Sequence, residues 1–139
     1  MKKIKKPLWY RVLRKIENSN ERVFLNKDFE RICKDDRQVR RALNQLTQKG
    51  HLAHIGRGIY SKAKFSSLTG KVIPVAALQD LGRETAEKLG LDIILSDMEK
   101  GYALGKHNQI STGRTLLVQQ RCSRVLSFEN QRIEIHNPD

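Results

Sequence analysis

The sequence predicts an α+β fold, and three observations predict it. First, Asp35–Tyr60, DDRQVRRALNQLTQKGHLAHIGRGIY, reads as a helix, a glycine stop, a short strand, a Gly-Arg-Gly turn and a returning strand. Second, the period changes toward the end: Ile133 and Ile135 alternate with Arg132, Glu134 and His136, as in a strand with one buried face. Third, charge divides along the chain. Residues 1–71 hold 19 Lys+Arg against 6 Asp+Glu, net +13, and residues 72–139 hold 8 against 9, net −1, which together return the overall +12. Helix, stop, strand, turn and strand in that order form the second half of a winged helix-turn-helix. The expected architecture is an N-terminal winged helix-turn-helix over residues 1–71, then a small α/β C-terminal domain over residues 72–139 that ends in antiparallel strands.

The bulk numbers fit that division. A chain of 139 residues holds one ordinary domain or two small ones. A lone core below about 70 residues is marginal, so two such halves are expected to lean on each other. With 38% hydrophobic and 30% charged residues, the chain has enough apolar material for a core and a large charged surface besides. No apolar run approaches the roughly 18 residues of a membrane span. The basic start, Met1 to Lys6, is followed by no apolar segment of a secretory signal, so a cytoplasmic protein is expected. Cys33 and Cys122 are far apart in sequence and are read as reduced thiols. The concentration of positive charge in one half points to a polyanion partner for that half.

Lys2 to Lys6 forms a basic arm, and Pro7 stands where a helix can start, since its missing N–H costs nothing there. Leu8, Trp9, Val12, Leu13 and Ile16 recur at helical spacing, and Asn18-Ser19-Asn20 stops the helix. Trp9 is read as core or a packing lid. This basic helix partly resembles a membrane-surface helix, a minor alternative. Val23-Phe24-Leu25 is a β-prone run. Asn26 is expected to cap a short second helix whose buried stripe is Phe29, Ile32 and Cys33. Asp35 or Asp36 caps the third helix, and both carboxylates favour the positive end of its dipole. That accounts for the pair without a metal.

The third helix has two faces. Val39, Ala42, Leu43 and Leu46 fall on one side; Arg37, Arg41, Asn44 and Gln48 fall opposite. Gly50 is placed to end it in a left-handed conformation. Gly56 and Gly58 are expected to supply positive φ on either side of Arg57 at the tip. His51 and His54, three apart on a strand, face opposite sides and form no ligand pair. Lys62, Lys64 and Lys71, with Ser66, Ser67 and Gly70, read as a linker or a second wing edge, and Pro74 marks a boundary. Beyond it, Val75, Leu78, Leu81, Ala86 and Leu89 suggest helix, broken or kinked at Gly82 and closed at Gly90. Strands are expected at Leu91–Leu95, Arg114–Gln119, Ser123–Phe128 and Arg132–His136.

The stretch from Val23 to Tyr60 resembles the N-terminal winged helix of AbiEi-type antitoxins of type IV toxin–antitoxin systems. Those share a "v-F-x-x-x-d-f" opening, an "a-L-x-x-L-x-x-k-G-x-l" helix and an "r-G-x-Y" wing. The matching residues are Phe24, Asp28, Phe29, Ala42, Leu43, Leu46, Lys49, Gly50, Leu52, Arg57, Gly58 and Tyr60. Gln109-Ile110-Ser111-Thr112 and the strand with Ile133-Glu134-Ile135 are similar to the β-rich half that follows in such proteins. The resemblance implies a repressor that binds operator DNA upstream of its own operon. It also implies functional pairing with a nucleotidyltransferase-type toxin, which such an antitoxin need not touch.

On that reading the third helix enters the major groove of double-stranded DNA. Arg pairs with guanine O6/N7, and Asn or Gln with adenine N6/N7. Arg37, Arg41 and Asn44 are the candidates for base readout, and Arg40, Gln45 and Gln48 for the rim. Arg57 suits the adjacent minor groove, most negative where it is narrow. The arm, Lys27, Lys62 and Lys64 are phosphate candidates, carrying affinity and salt dependence. The C-terminal half is expected to dimerise the protein, hold a partner or add DNA contacts through Arg114, Arg121, Arg124 and Arg132. An enzyme is not expected: there is no GxSxG, Walker loop, HExxH or CxxC, and Ser111-Thr112-Gly113-Arg114 alone is weak evidence for a phosphate turn. No cofactor or metal is expected. The alternative is an RNA-binding or ribosome-associated basic winged-helix module. Its single-strand form would need exposed aromatics, and aromatics are only 6% of the chain.

Overall fold

The computed structural model describes residues 6–94 and 115–137. The chain divides into two compact units, Met1–Val75 and Ala76–Asp139. Helices and strands mix in the α+β manner, with three α-helices and eight strands among the described residues.

The first unit runs α1 (Leu8–Glu17), β1 (Val23–Leu25), a 3-10 turn (Asn26–Phe29), α2 (Asp36–Gln48), β2 (Leu52–Gly56), β3 (Ile59–Ser66) and β4 (Lys71–Pro74). Pro7 sits one residue before α1 as its cap, and its carbonyl accepts from the Tyr10 and Arg11 N–H groups. Val12, Leu13 and Ile16 form the buried side of α1. Arg14 and Lys15 lie in its last turn, where positive charge meets the dipole favourably.

The expected second helix is reduced to one 3-10 turn. Asn26 does not cap it. Instead the Asp28 carboxylate reaches back and accepts from the Leu25 N–H at 2.8 Å. Asn26 Oδ1 is buried without a hydrogen-bond partner among the described residues. Ile32 and Cys33 both return N–H bonds to the Phe29 carbonyl, so the chain keeps turning without building a regular helix. A segment this short gains too few intrahelical bonds to offset nucleation.

α2 starts as expected. The Asp35 side chain accepts from the Arg37 N–H at 2.9 Å, satisfying one of the free first-turn donors. The helix ends in a Schellman motif, with Gly50 at φ 88° and the His51 N–H bonded to the Leu46 carbonyl at 2.9 Å. Val39, Ala42, Leu43 and Leu46 are buried against Val12, Ile16, Phe24, Phe29, Leu52 and Tyr60. β3 pairs antiparallel with β1 through Phe24↔Tyr60 and with β2 through His54↔Tyr60. A bulge between His54 and Gly56 leaves Ile55 unpaired. Of the two turn glycines only Gly58 takes a positive φ, 71°; Gly56 serves the bulge instead. The segment read as a linker or wing edge is strand: β3 continues to Ser66 and folds back through β4, with Phe65 opposite Val72.

The second unit runs α3 (Leu78–Lys88), β5 (Ile93–Ile94), β6 (Thr115–Val118), β7 (Ser123–Phe128) and β8 (Gln131–His136). Strands dominate it, in the order β7-β8-β6-β5, with β6 parallel to β8 and the other pairs antiparallel. Gly82 neither breaks nor kinks α3. It is buried inside the helix, where an added Cβ would lie 3.5 Å from Ile133 Cγ2 and 3.7 Å from Leu126 Cδ1. The small residue lets the helix lie close on β7 and β8. Gly90, at φ 74°, closes α3 as expected. Leu78, Leu81, Ala86, Leu116, Val118, Leu126, Ile133 and Ile135 are its buried apolar residues among those described. Leu95, Gln109 to Thr112 and Arg114 lie outside the described residues.

Candidate nucleic-acid interface

The outward side of α2 is the natural starting point. Arg37, Arg40, Arg41, Asn44, Gln45 and Gln48 are all exposed, and Val39, Ala42, Leu43 and Leu46 are all buried beneath them. At 100° per residue the exposed residues separate into a central stripe and two flanks. Arg37, Arg41, Asn44 and Gln48 make the stripe. Gln38 and Gln45 turn toward α1, where with Leu8, Trp9, Arg41 and Ala42 they line a shallow cleft of about 200 Å³. Arg40 turns toward β3.

That second flank is more organised than the sequence alone indicated. Tyr60 has its ring in the core at 2% exposure, and its hydroxyl reaches the surface to donate to Asn44 Oδ1 at 3.1 Å. Burial pushes the Tyr60 hydroxyl above its ordinary pKa, and the nearby Arg40 guanidinium opposes that. His54 stacks on the Tyr60 ring with centroids 4.8 Å apart. Asn44 is thus held between helix and sheet. It keeps two amide donors and one further lone pair to present outward.

Arg57 is exposed at the β2–β3 turn, Lys27 in the 3-10 turn, and Lys64 on β3. Lys62 departs from the expected pattern. It is half-buried, and its Nζ donates to the Ser19 carbonyl at 2.6 Å, fastening β3 to the end of α1. One of the three donors of this ammonium is thus used within the fold. Lys6 lies over the Tyr10 ring at 4.7 Å; Lys2 to Lys5 lie outside the described residues. Lys49 Nζ sits 3.3 Å from the Trp9 ring centroid, which makes Trp9 a half-buried lid held by a cation–π contact. Lys15 donates to the Asp28 carbonyl, so its charge too is partly engaged within the fold.

Two features were missed by sequence reasoning. The first is the Tyr60–His54–Asn44 cluster, hidden because Tyr60 reads as a core residue. The second is the β3–β4 hairpin, which exposes Phe65 at 68% and Leu68 at 97% between Lys64 and Lys71. Its strand alternation was obscured by the serines of the turn. Among the described residues, no three His, Cys, Asp or Glu side chains gather as a metal site. None of the described helices is long and apolar enough to cross a membrane.

The chain matches no family model, no curated protein and no solved structure.

Proposed function

We propose that the protein is a sequence-specific double-stranded DNA-binding repressor whose first unit acts as a winged helix-turn-helix. α2 is the reading helix, and the β2–β3 turn with Arg57 is the wing. The observation that carries this reading is the stripe Arg37, Arg41, Asn44 and Gln48, exposed in full on the half of the chain with net +13. Guanidinium and amide groups on one helix face offer the paired donors and acceptors that base edges require. Lys27 and Lys64 flank that face with charge suited to phosphates. Asn44, fixed by Tyr60, meets the need for a reading side chain to be oriented before it binds.

The resemblance of Val23–Tyr60 to AbiEi-type antitoxins extends the proposal. On it, the protein represses its own operon as the antitoxin of a type IV toxin–antitoxin system, with a nucleotidyltransferase-type toxin encoded next to it. Binding as a homodimer would place two copies of α2 on half-sites about one helical turn apart. The test is fluorescence anisotropy with the intergenic duplex upstream of the gene against a shuffled duplex of equal length. The expected preference for the former is at least about 10³-fold at physiological salt. Equal affinity would sink sequence-specific repression. A second reading, single-strand RNA binding, is favoured by one observation, the exposed Phe65 ring beside Lys64. Competition by unstructured RNA that Phe65→Ala abolishes would establish it over the first.

A further inference from the structure

Three of the four exposed large apolar side chains among the described residues belong to one element, the β3–β4 hairpin: Phe65 at 68%, Leu68 at 97% and Val72 at 36%. Phe65 lies opposite Val72, and the neighbouring pairs are Lys64↔Ile73 and Ser66↔Lys71. Alternation therefore puts Phe65 and Val72 on one face of the hairpin and Lys64 and Lys71 on the other. Both lysines are exposed. Leu68 occupies the turn between the two strands.

The turn is held by its own hydrogen bonds. The Gly70 N–H donates to the Ser66 carbonyl at 2.8 Å, with Gly70 at φ 70°. The Thr69 N–H donates to Ser66 Oγ at 3.4 Å, and the Lys71 N–H donates to Thr69 Oγ1 at 3.3 Å. A tip that is already ordered loses less entropy on binding. Val72 fixes its place relative to α2: the Val72 Cγ2 lies 3.3 Å from the position of a Cβ on Gly50, just past the end of that helix. The hairpin thus stands at the C-terminal end of α2. The Arg57 turn stands at the opposite end of β3, a strand of eight residues or about 25 Å.

We propose that this hairpin enters the minor groove of the duplex that α2 reads and wedges Leu68 between base steps, bending the DNA. The proposal rests on α2 reading duplex DNA. α2 has 13 residues and is about 20 Å long, against a major groove about 12 Å wide. With its N-terminal half seated across that groove, its C-terminal end comes out over the flanking phosphates, and beyond them lies the adjacent minor groove. Charge suits this site. Lys64 and Lys71, one on each strand of the hairpin, bracket the tip with ammonium groups for phosphates, within a stretch, residues 1–71, of net +13. The minor groove is about 6 Å wide, too narrow for a two-stranded ribbon, so only the tip enters and the groove opens around it. Leucine and phenylalanine serve as such wedges, and the kink they cause is toward the major groove. Single-stranded RNA is the poorer match, because Leu68, the outermost side chain, has no ring on which a base can stack.

The test uses the full chain with the intergenic duplex upstream of the gene, labelled with a dye at each end, beside a shuffled duplex of equal length. Energy transfer between the dyes reads the bend, and anisotropy reads affinity. Wild type is expected to bend the intergenic duplex by about 20–90°. Leu68→Ser is expected to remove most of that bend and to weaken binding about tenfold. Lys64→Gln with Lys71→Gln is expected to lower the slope of log affinity against log salt by about two. All three side chains are exposed, so the far-ultraviolet circular dichroism of both variants is expected to match wild type. The proposal is overturned if wild type binds the intergenic duplex and leaves it straight, if Leu68→Ser keeps the bend, or if the lysine pair leaves the salt slope unchanged. It is overturned as well if Leu68→Ser weakens binding to unstructured RNA and leaves the duplex complex intact. Equal affinity for the two duplexes would sink sequence-specific repression alone; the bend and its loss in Leu68→Ser then decide the wedge on either duplex. Failure to bind any duplex overturns both.

Discussion

The two units build small cores of similar residues by different means, and their charges are used differently. In the first, α2 buries one stripe on α1 and a three-stranded pairing, and turns its arginines outward along a helix. In the second, one helix lies on a strand-rich layer, and β8 alternates Arg132, Glu134 and His136 with the buried Ile133 and Ile135. The first unit carries the positive sum. The second sums to near zero, so the excess positive charge belongs to the first unit alone.

The comparison is broken most strongly through the cores. Phe29→Ala removes a fully buried ring from the first unit and is expected to cost about 3–5 kcal/mol. Trp9 is the only tryptophan and lies in that unit, so its fluorescence follows the first unit alone while far-ultraviolet circular dichroism follows both. Urea unfolding of the variant is expected to move the fluorescence transition further than the dichroism one. A common shift would show one cooperative body where we distinguish two.

A smaller effect separates the two sets of arginines. Arg41→Ala is expected to weaken operator binding by about 1–3 kcal/mol and to relax base preference. Arg124→Ala is expected to leave that affinity within about 0.5 kcal/mol. Anisotropy titrations at one salt concentration measure both, and equal losses would merge the two surfaces into one.

The same substitution should have opposite signs in the two units. Gly50→Ala places a Cβ at φ 88° and 3.3 Å from Val72 Cγ2, and is expected to destabilise by about 1–2 kcal/mol. Gly82→Ala adds ordinary contacts to Ile133 and Leu126 inside a helix, and is expected to stabilise by about 0.5–1 kcal/mol. Thermal melts of the two variants decide it.

The smallest effect is that of Tyr60. Its folded pKa is raised above 10.0, chiefly by burial, so the folded state holds the proton more tightly than the unfolded state. The stability this contributes is complete below pH 10 and is lost as pH rises through the folded value. Wild type is expected to lose more stability than Tyr60→Phe between neutral pH and that range, measured as the difference between their melting curves. Parallel pH profiles would remove Tyr60 from the account.

Much of the first unit was legible because its signals are local. The Asp35 cap, the two-faced α2 and the Gly50 stop each depend on residues within a few positions. The 3-10 turn was misread because its side-chain bond is made by Asp28 reaching back to the Leu25 N–H, not by Asn26 reaching forward. The tie from Lys62 to Ser19 was not legible because the two lie 43 residues apart. Gly82 was misread because a buried helical glycine and a helix-breaking one look alike until the strands it packs against are placed. The candidate stripe on α2 follows from periodicity, whereas which residues share a face of the second unit depends on strand register, which no single segment reveals.

β3 has a consequence for how the first unit comes into being. Its residues Ile59 to Ser61 are held by β1 on one side and β2 on the other, and its later residues by β4. The β2–β3 hairpin closes across a two-residue turn and costs little loop entropy, whereas β1 must be met again after the whole of α2 has intervened. During synthesis from the N-terminus, Phe24 and Phe29 leave the ribosome well before Tyr60, the residue that closes over them. Until then the nascent chain carries an unsheltered aromatic pair beside a cluster of positive charge. A chain cut short of Tyr60 would therefore emerge with α2 made and the core beneath it open.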